Sequence, residues 1–439
     1  MNINTKIEDL YHLFIDCNQK ISTDTRNLEK GSIFFALKGD NFDANTFALT
    51  AISEGCSYAI VDDLNLCNGT TILGVENVLD TLQGLARFHR KQLNIPVIGI
   101  TGSNGKTTNK ELIYAVLSKK YTVYATKGNL NNHIGVPLTL LKITKEHEIA
   151  IVEMGANHQG EIELLSSICD PDFGLITNIG KAHLEGFGGE EGIKKGKSEL
   201  YKYIKSKNGK IFINGNDSVL IELANDIDKV YYGEDESFDV HGKLVQNSEF
   251  VEFRWNTKGE NCENSPLVKT HMFGHYNFIN VLCAACLGNY FGVDTSLINE
   301  ALSNYIPEMN RSQVMKTQLN TLILDAYNAN PSSMLLAIKH FAKQSFENKY
   351  IILGDMFELG IYSEKEHQTI LEELMTHKNI NCLLVGNRFY EFKDRYLGFS
   401  FYKELESVIN FLKNNPVMRS ALLIKGSRGI KLEKLVEYL

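Results

Sequence analysis

Apolar residues along this chain gather into short runs, separated by turn-forming residues and by stretches with apolar positions at helical spacing. Before residue 85, SIFFALKG, SYAIVDD and TTILGVEN read as strands between turns and helical patterns. The strand-like IPVIGI after Pro96 opens a second series. It predicts strands at Ile149–Glu153 and Phe173–Asn178, a long helix near 191–206 and another around 277–291. Between these helices, about 210–270 is more polar and predicts an antiparallel insert. A third series begins near NYIPEMNR at 304–311, with TLILDAY, KYIILGD, NCLLVG and ALLIKGS as strands, each followed by a helix-like segment. Strands alternating with helices imply parallel sheets, so the expectation is an α/β fold in three domains, 1–85, 86–307 and 308–439.

Composition narrows the partners. The 439 residues are 43% hydrophobic and carry a net charge of −8, which leaves no global basic field for nucleic acid or anionic lipid. No apolar run approaches the ~18 residues of a membrane span. MNINTKIEDLYHLF lacks the basic-then-apolar layout of a signal peptide, so a cytoplasmic protein is expected. Eight cysteines are scattered, and the one close pair, Cys283 and Cys286, lies in the apolar stretch NVLCAACLGNYF. With no second pair it reads as core packing and no metal role is assigned.

The strongest local signal is GITGSNGKTTNKE at 99–111. A Walker A loop has a glycine five positions before the one preceding its lysine. Here that position is Ile100, so the strict pattern fails. The chemistry survives: Gly102 and Gly105 let backbone N–H groups converge on phosphate oxygens, Lys106 supplies a point charge, and Thr107 offers a hydroxyl to Mg²⁺. A helix beginning near Thr107, with Leu112, Ile113, Val116 and Leu117 on one face, would aim its positive end at the anion.

Ligands of open parallel sheets bind beyond the carboxyl ends of the strands. The next two strands bring Glu153, Asn178 and, in the following loop, His183 to that rim. A carboxylate and an imidazole there can hold Mg²⁺ beside bound phosphates. The lysine-rich EGIKKGKSELYKYI further on reads, by chemistry alone, as a solvated helix face.

Together these stretches resemble the Mur ligase family of ATP-dependent amide-bond ligases. TGSNGKTT matches the family's own version of the loop, Gly102-Ser103-Asn104-Gly105-Lys106-Thr107-Thr108, and NIGKAHLEGFG and FGHYNFINVLCAA resemble its central motifs. LDAYNANPSSM, ILGDMFELG and LLIKGSRG resemble the branch that adds D-alanyl-D-alanine to UDP-N-acetylmuramoyl-tripeptide, and STDTRNLEKGSIFFALKGDNFDANTFA is similar to its UDP-sugar-binding segment. The resemblance implies a small UDP-sugar-binding domain, a central P-loop ATPase domain and a C-terminal Rossmann-like domain. It implies a monomer that forms an acyl phosphate on the tripeptide carboxylate in peptidoglycan precursor synthesis.

The resemblance also implies roles. Lys106 would neutralise the γ-phosphoryl group, Thr107 and Glu153 would hold one Mg²⁺, and His183 a second. Lys197 matches a lysine that several members carry as a carbamate near that metal, with Lys195 close in register. Asn277 and Asn280 match adenine-side asparagines, while Arg311 and Asp325 would reach the ATP phosphates and ribose from the third domain. Tyr327, Asn328 and Asn330 would line the site near the dipeptide. Asn131, Asn132 and His133 would reach the muramoyl part, and Asp24, Thr25, Arg26, Gly39 and Asp43 the UDP end. The chain departs from the family at Asp43-Ala44-Asn45, where Asp-Gly-His is common, and at Thr25, where serine is common.

The rival readings are a sibling ligase adding a single amino acid, a P-loop phosphotransferase or NTPase, and a non-catalytic scaffold. YNANP and GDMFELG argue against the first. Two further α/β domains argue against the second, and the loop with Glu153 and His183 against the third.

Overall fold

The computed structural model describes residues 5–245, 248–308 and 310–439. Residues 1–4 of the stretch read above for a leader, and Met309 at the expected domain junction, lie outside them. Three main sheets follow one another along the chain. The first has four parallel strands in the order Ile21–Ser22, Ile33–Phe35, Tyr58–Val61 and Ile72–Gly74, three of them from the expected runs. The expected boundary at 85/86 falls inside one continuous helix, Val78–Gln92, capped by the Asn77 side chain on the Asp80 N–H at 2.9 Å. That helix packs on Ile7–Asp16 and on the central helices Gly135–Leu141 and Glu161–Cys169. It therefore belongs to both units and leaves them no flexible linker.

Among the described residues, the central sheet has nine strands. Its order is Val268–Phe273, Phe250–Thr257, Val240–Leu244, Asp228–Gly233, Lys210–Asn214, Phe173–Ile176, Val97–Thr101, Ile149–Glu153 and Val123–Ala125. The expected antiparallel insert at 210–270 is corrected here. Lys210–Asn214, Asp228–Gly233 and Val240–Leu244 pair in parallel and continue the main sheet, and the antiparallel pairings are those of Phe250–Thr257 with its two neighbours. The polarity of a segment does not report the direction in which its strands pair, and the helix Ser218–Leu223 supplies the crossover that parallel pairing needs.

The third sheet runs Gln313–Lys316, Thr321–Asp325, Ala421–Lys425, Lys349–Gly354, Ile380–Val385 and Ser400–Tyr402. The four expected runs form its interior, and the two edge strands are short segments without an apolar run. Ala421–Lys425 lies between Thr321–Asp325 and Lys349–Gly354, so strand order reverses there and opens a crevice beyond Asp325 and Lys425. Cys283 and Cys286 are fully buried in the helix Phe278–Tyr290, and burial pushes the Cys283 thiol up to about 12, as core packing requires.

Candidate active site

The strand Val97–Thr101 is buried along its whole length and delivers the glycine loop to the sheet's carboxyl edge. Gly102 has φ +142°, and a Cβ there would lie 2.0 Å from Thr177 Oγ1, so only glycine lets the loop cross its neighbour this closely. Asn178 clamps the loop from the next strand's end, accepting the Asn104 N–H at 3.1 Å through Oδ1 and donating to the Asn104 carbonyl at 3.0 Å. Ser103 Oγ donates to the Gly180 carbonyl at 2.8 Å. The helix Lys106–Leu117 then begins from Gly105 with φ +75° and no side-chain cap. Its first N–H groups thus lack intrahelical partners, and the residues carrying them border a cavity of about 880 Å³.

That cavity is walled by the central and third domains together. Ser103 to Thr108, Glu153, His183, Asn131, Asn132, His133, Asn277 and Asn280 border it from one side. Arg311, Asp325, Tyr327, Asn328 and Asn330 border it from the other. Of the expected site residues, Gly102, Lys197, Asp24, Thr25, Arg26, Gly39 and Asp43 do not. Gly102 acts through packing, and its carbonyl accepts Lys106 Nζ at 2.7 Å. Burial at the cleft floor pushes the Lys106 ammonium below the usual lysine range, with Glu153 pulling the other way and Arg311 reinforcing the shift.

Glu153 is 2% exposed. Its Oε1 accepts from Asn131 Nδ2 at 2.8 Å, while Oε2 is buried with no partner. A buried carboxylate with one open oxygen, in a cavity that Thr107 and the phosphate loop also border, is chemically suited to a hard divalent cation. No cluster of three or more metal-ligating His, Cys, Asp or Glu exists among the described residues. That suits Mg²⁺, which takes one or two protein oxygens and completes its shell from water and phosphate. Asn131, expected at the muramoyl group, borders the cavity and holds Glu153 through this bond, and Asn132 Oδ1 accepts the N–H of Gly135, the first residue of the helix Gly135–Leu141, at 2.9 Å.

Asn277 and Asn280 belong to a relay. Asn280 Nδ2 donates to Asn277 Oδ1 at 2.8 Å, and Asn280 Oδ1 accepts from Asn109 Nδ2, also at 2.8 Å. Asn109 closes the chain on the Gly105 carbonyl at 2.9 Å. It stands in the quoted loop, but nothing local marked its reach to a partner 171 residues away. Lys425 was likewise missed, although a lysine ending a strand run was a usable signal: it is 2% exposed and its Nζ meets Asp325 at 2.5 Å. The Arg311 guanidinium lies 3.7 Å from the Tyr327 ring centroid. Asn330 both caps the helix Pro331–Lys343 and donates to Asn104 Oδ1 in the phosphate loop at 2.6 Å.

Lys197 is 1% exposed while Lys195 faces solvent. The Lys197 amine donates to the Ala156 carbonyl at 3.2 Å and sits 4.9 Å over the Phe187 ring, and burial pushes its pKa well below the lysine range. In the first domain, Asp24 pairs with Arg26 at 2.6 Å and caps its own turn, and Asp43 accepts from the Asn45 N–H at 2.9 Å in the same way. Both lie away from the cavity, beyond the carboxyl ends of the first sheet's strands.

The Mur ligase middle domain model matches residues 100–288, and the Mur ligase, glutamate ligase domain model matches 310–427. A Bacillus subtilis UDP-N-acetylmuramoyl-tripeptide–D-alanyl-D-alanine ligase is 35% identical over 431 residues, covering 95% of this chain and 92% of its own. The crystal structure of MurF from Acinetobacter baumannii superposes with a TM-score of 0.85 at 32% identity, covering 95% of this chain and 92% of that one. MurF ligase from Thermotoga maritima, solved in complex with ADP, superposes with a TM-score of 0.82 at 26% identity, covering 96% and 97%.

Proposed function

This chain belongs to the Mur ligase family, and from that premise we infer that it is the ATP-dependent ligase joining D-alanyl-D-alanine to UDP-N-acetylmuramoyl-tripeptide. The observation that carries the reading is one cavity shared by the phosphate loop, the half-satisfied Glu153 and the Tyr327–Asn330 loop of the third domain. A carboxylate and an amine do not condense at neutral pH until one carboxylate oxygen becomes a leaving group. In this reaction that oxygen attacks the γ-phosphorus and ADP departs. The dipeptide amine then adds to the acyl carbon, and phosphate leaves as the amine loses its proton.

The residues divide this work. Gly105 to Thr108 and Lys106 hold the triphosphate, while the Asn109–Asn280–Asn277 relay fixes the wall on the expected adenine side. Thr107 and Glu153 would hold Mg²⁺, and His183 a second ion; such ions offset repulsion between carboxylate and triphosphate. Arg311, Asp325 and Lys425 add charge from the third domain, and Tyr327, Asn328 and Asn330 border the dipeptide's place. Asp24, Thr25, Arg26, Gly39 and Asp43 would hold the UDP end, a role supported by their position beyond the first sheet's strand ends. A cytoplasmic monomer is part of this proposal, and no helix among the described residues is long and apolar enough to cross a membrane.

Lys197 is proposed to carry a carbamate, formed as its neutral amine adds to CO₂ and releases a proton. Its desolvated amine supports this, since the free base is the reacting form. With ¹³C-bicarbonate, a carbamate carbonyl resonance should appear in the wild type and vanish in Lys197→Ala. The main reading is tested by phosphate release from ATP with UDP-N-acetylmuramoyl-tripeptide. Release should require D-alanyl-D-alanine and not respond to single amino acids; release independent of the dipeptide would overturn it.

A further inference from the structure

One carboxylate at the domain seam has no role in the scheme above. Glu358 lies in the GDMFELG loop that follows the strand Lys349–Gly354, and its carboxylate meets Nδ1 of His183 from across the seam. That nitrogen is sealed from solvent and has no partner in hydrogen-bonding geometry among the described residues, while the Glu358 carboxylate lies in direct contact with it. The Glu358 carbonyl also accepts the Glu185 N–H at 3.2 Å. Both residues hold left-handed backbones, φ +60° for Glu358 and φ +56° for His183, which non-glycine residues keep only when their surroundings enforce it.

The loop is built to hold this pose. Asp355 accepts the N–H groups of Arg388 and Phe389 at 2.9 and 3.0 Å. The Met356 N–H donates to His367 Nε2 at 3.1 Å, and the Phe357 N–H to Ser427 Oγ at 3.0 Å. Gly360, φ +52°, leaves only 2.9 Å between a built Cβ and the Glu185 side chain, so the loop presses onto the turn that carries His183.

We propose that Glu358 is the positioning residue for His183. Its carboxylate accepts the Nδ1–H, fixes that tautomer, and leaves the Nε2 lone pair on the part of the ring that borders the cavity. Histidines that bind metal commonly donate their other N–H to a carboxylate in this way. Here the carboxylate comes from a different domain, so the ring is set for a cation or a proton only when the two domains meet. The proposal rests on the ligase reading for its use, but not for its geometry.

The test is the ring's tautomer in the full-length protein labelled with ¹⁵N-histidine, at about pH 8.5 to exceed the ordinary histidine titration. The His183 signal is identified by its loss in His183→Gln. Nδ1 should be protonated in the wild type and in Glu358→Gln, which keeps an acceptor, and the ring should shift toward Nε2–H in Glu358→Ala. Dipeptide-dependent phosphate release should fall about 10- to 100-fold in Glu358→Ala and recover in part in Glu358→Gln. Glu358 is half-exposed, so both variants should fold and melt like the wild type. An unchanged tautomer in Glu358→Ala would overturn the proposal. Absence of dipeptide-dependent release in the wild type would instead overturn the ligase reading, leaving the tautomer result to stand.

Discussion

Glu153 is where burial and charge conflict most sharply. A carboxylate almost closed to water, with one oxygen satisfied and the other not, costs folding free energy and is retained where something binds it. Glu153→Gln replaces this half-satisfied carboxylate with a neutral amide of the same shape. Its melting temperature should therefore equal or exceed that of the wild type, while dipeptide-dependent phosphate release falls about 100-fold or more. A variant that melts lower would show that the second oxygen also has a partner in the folded chain. Asn131→Ala should behave in the opposite sense. It strips Glu153 of its one donor, so stability falls by about 1–3 kcal/mol and activity falls about 10- to 100-fold together. Chemical denaturation alongside phosphate release separates the two residues.

The helix Pro331–Lys343 shows how one element can serve fold and site at once. Asn330 accepts the Ser333 N–H at 3.0 Å as its cap and reaches Asn104 with its amide. Asn330→Asp keeps the cap acceptor but loses the donor, so stability should stay within about 0.5 kcal/mol of wild type while kcat falls. Asn330→Ala should lose about 1 kcal/mol as well. Ten residues on, His340 packs its ring 4.7 Å from His275 of the central domain, and burial, then His275, lowers its pKa to about 4. The fold thus holds His340 neutral, and its contribution is intact above the unfolded value of about 6.5. It is lost as pH falls from there toward about 4, by up to the order of 3 kcal/mol. Melting curves across that window should decline less steeply for His340→Gln than for the wild type. The sequence made the helix and NANP visible because caps, proline and apolar spacing are local signals. It hid the contact with Asn104, 226 residues away, and the His340–His275 pair, because nothing within one element encodes which surface it will meet. The same limit explains the strand at Lys210–Asn214: nothing in its own residues encodes the parallel partner it meets.

At the scale of the molecule, the cavity exists only because the third domain is held against the central one. Beyond His183–Glu358 and Asn104–Asn330, the seam rests on Lys181, whose N–H donates to Ser332 Oγ at 3.0 Å and whose Nζ meets Glu366 at 2.7 Å. The Glu366 side chain is 5% exposed, so this is no ordinary surface pair: Lys181 is the cation that makes a buried carboxylate tolerable, and Glu366 in turn raises the lysine's pKa. Lys181→Met would leave that carboxylate unpaired in the closed arrangement but free to hydrate when the domains part. The closed form should therefore lose about 1–3 kcal/mol relative to an open one, a shift of roughly 5- to 150-fold in their ratio. Because Lys181 does not line the cavity, that shift should appear as weaker apparent ATP and dipeptide binding. In solution scattering with ATP and UDP-N-acetylmuramoyl-tripeptide present, the radius of gyration should exceed that of the wild type. Lys181→Met with Glu366→Gln removes the buried charge along with its partner and should return both readouts most of the way. If the single and double variants behave alike, the pair does not govern closure, and the seam depends on its hydrogen bonds and packing alone.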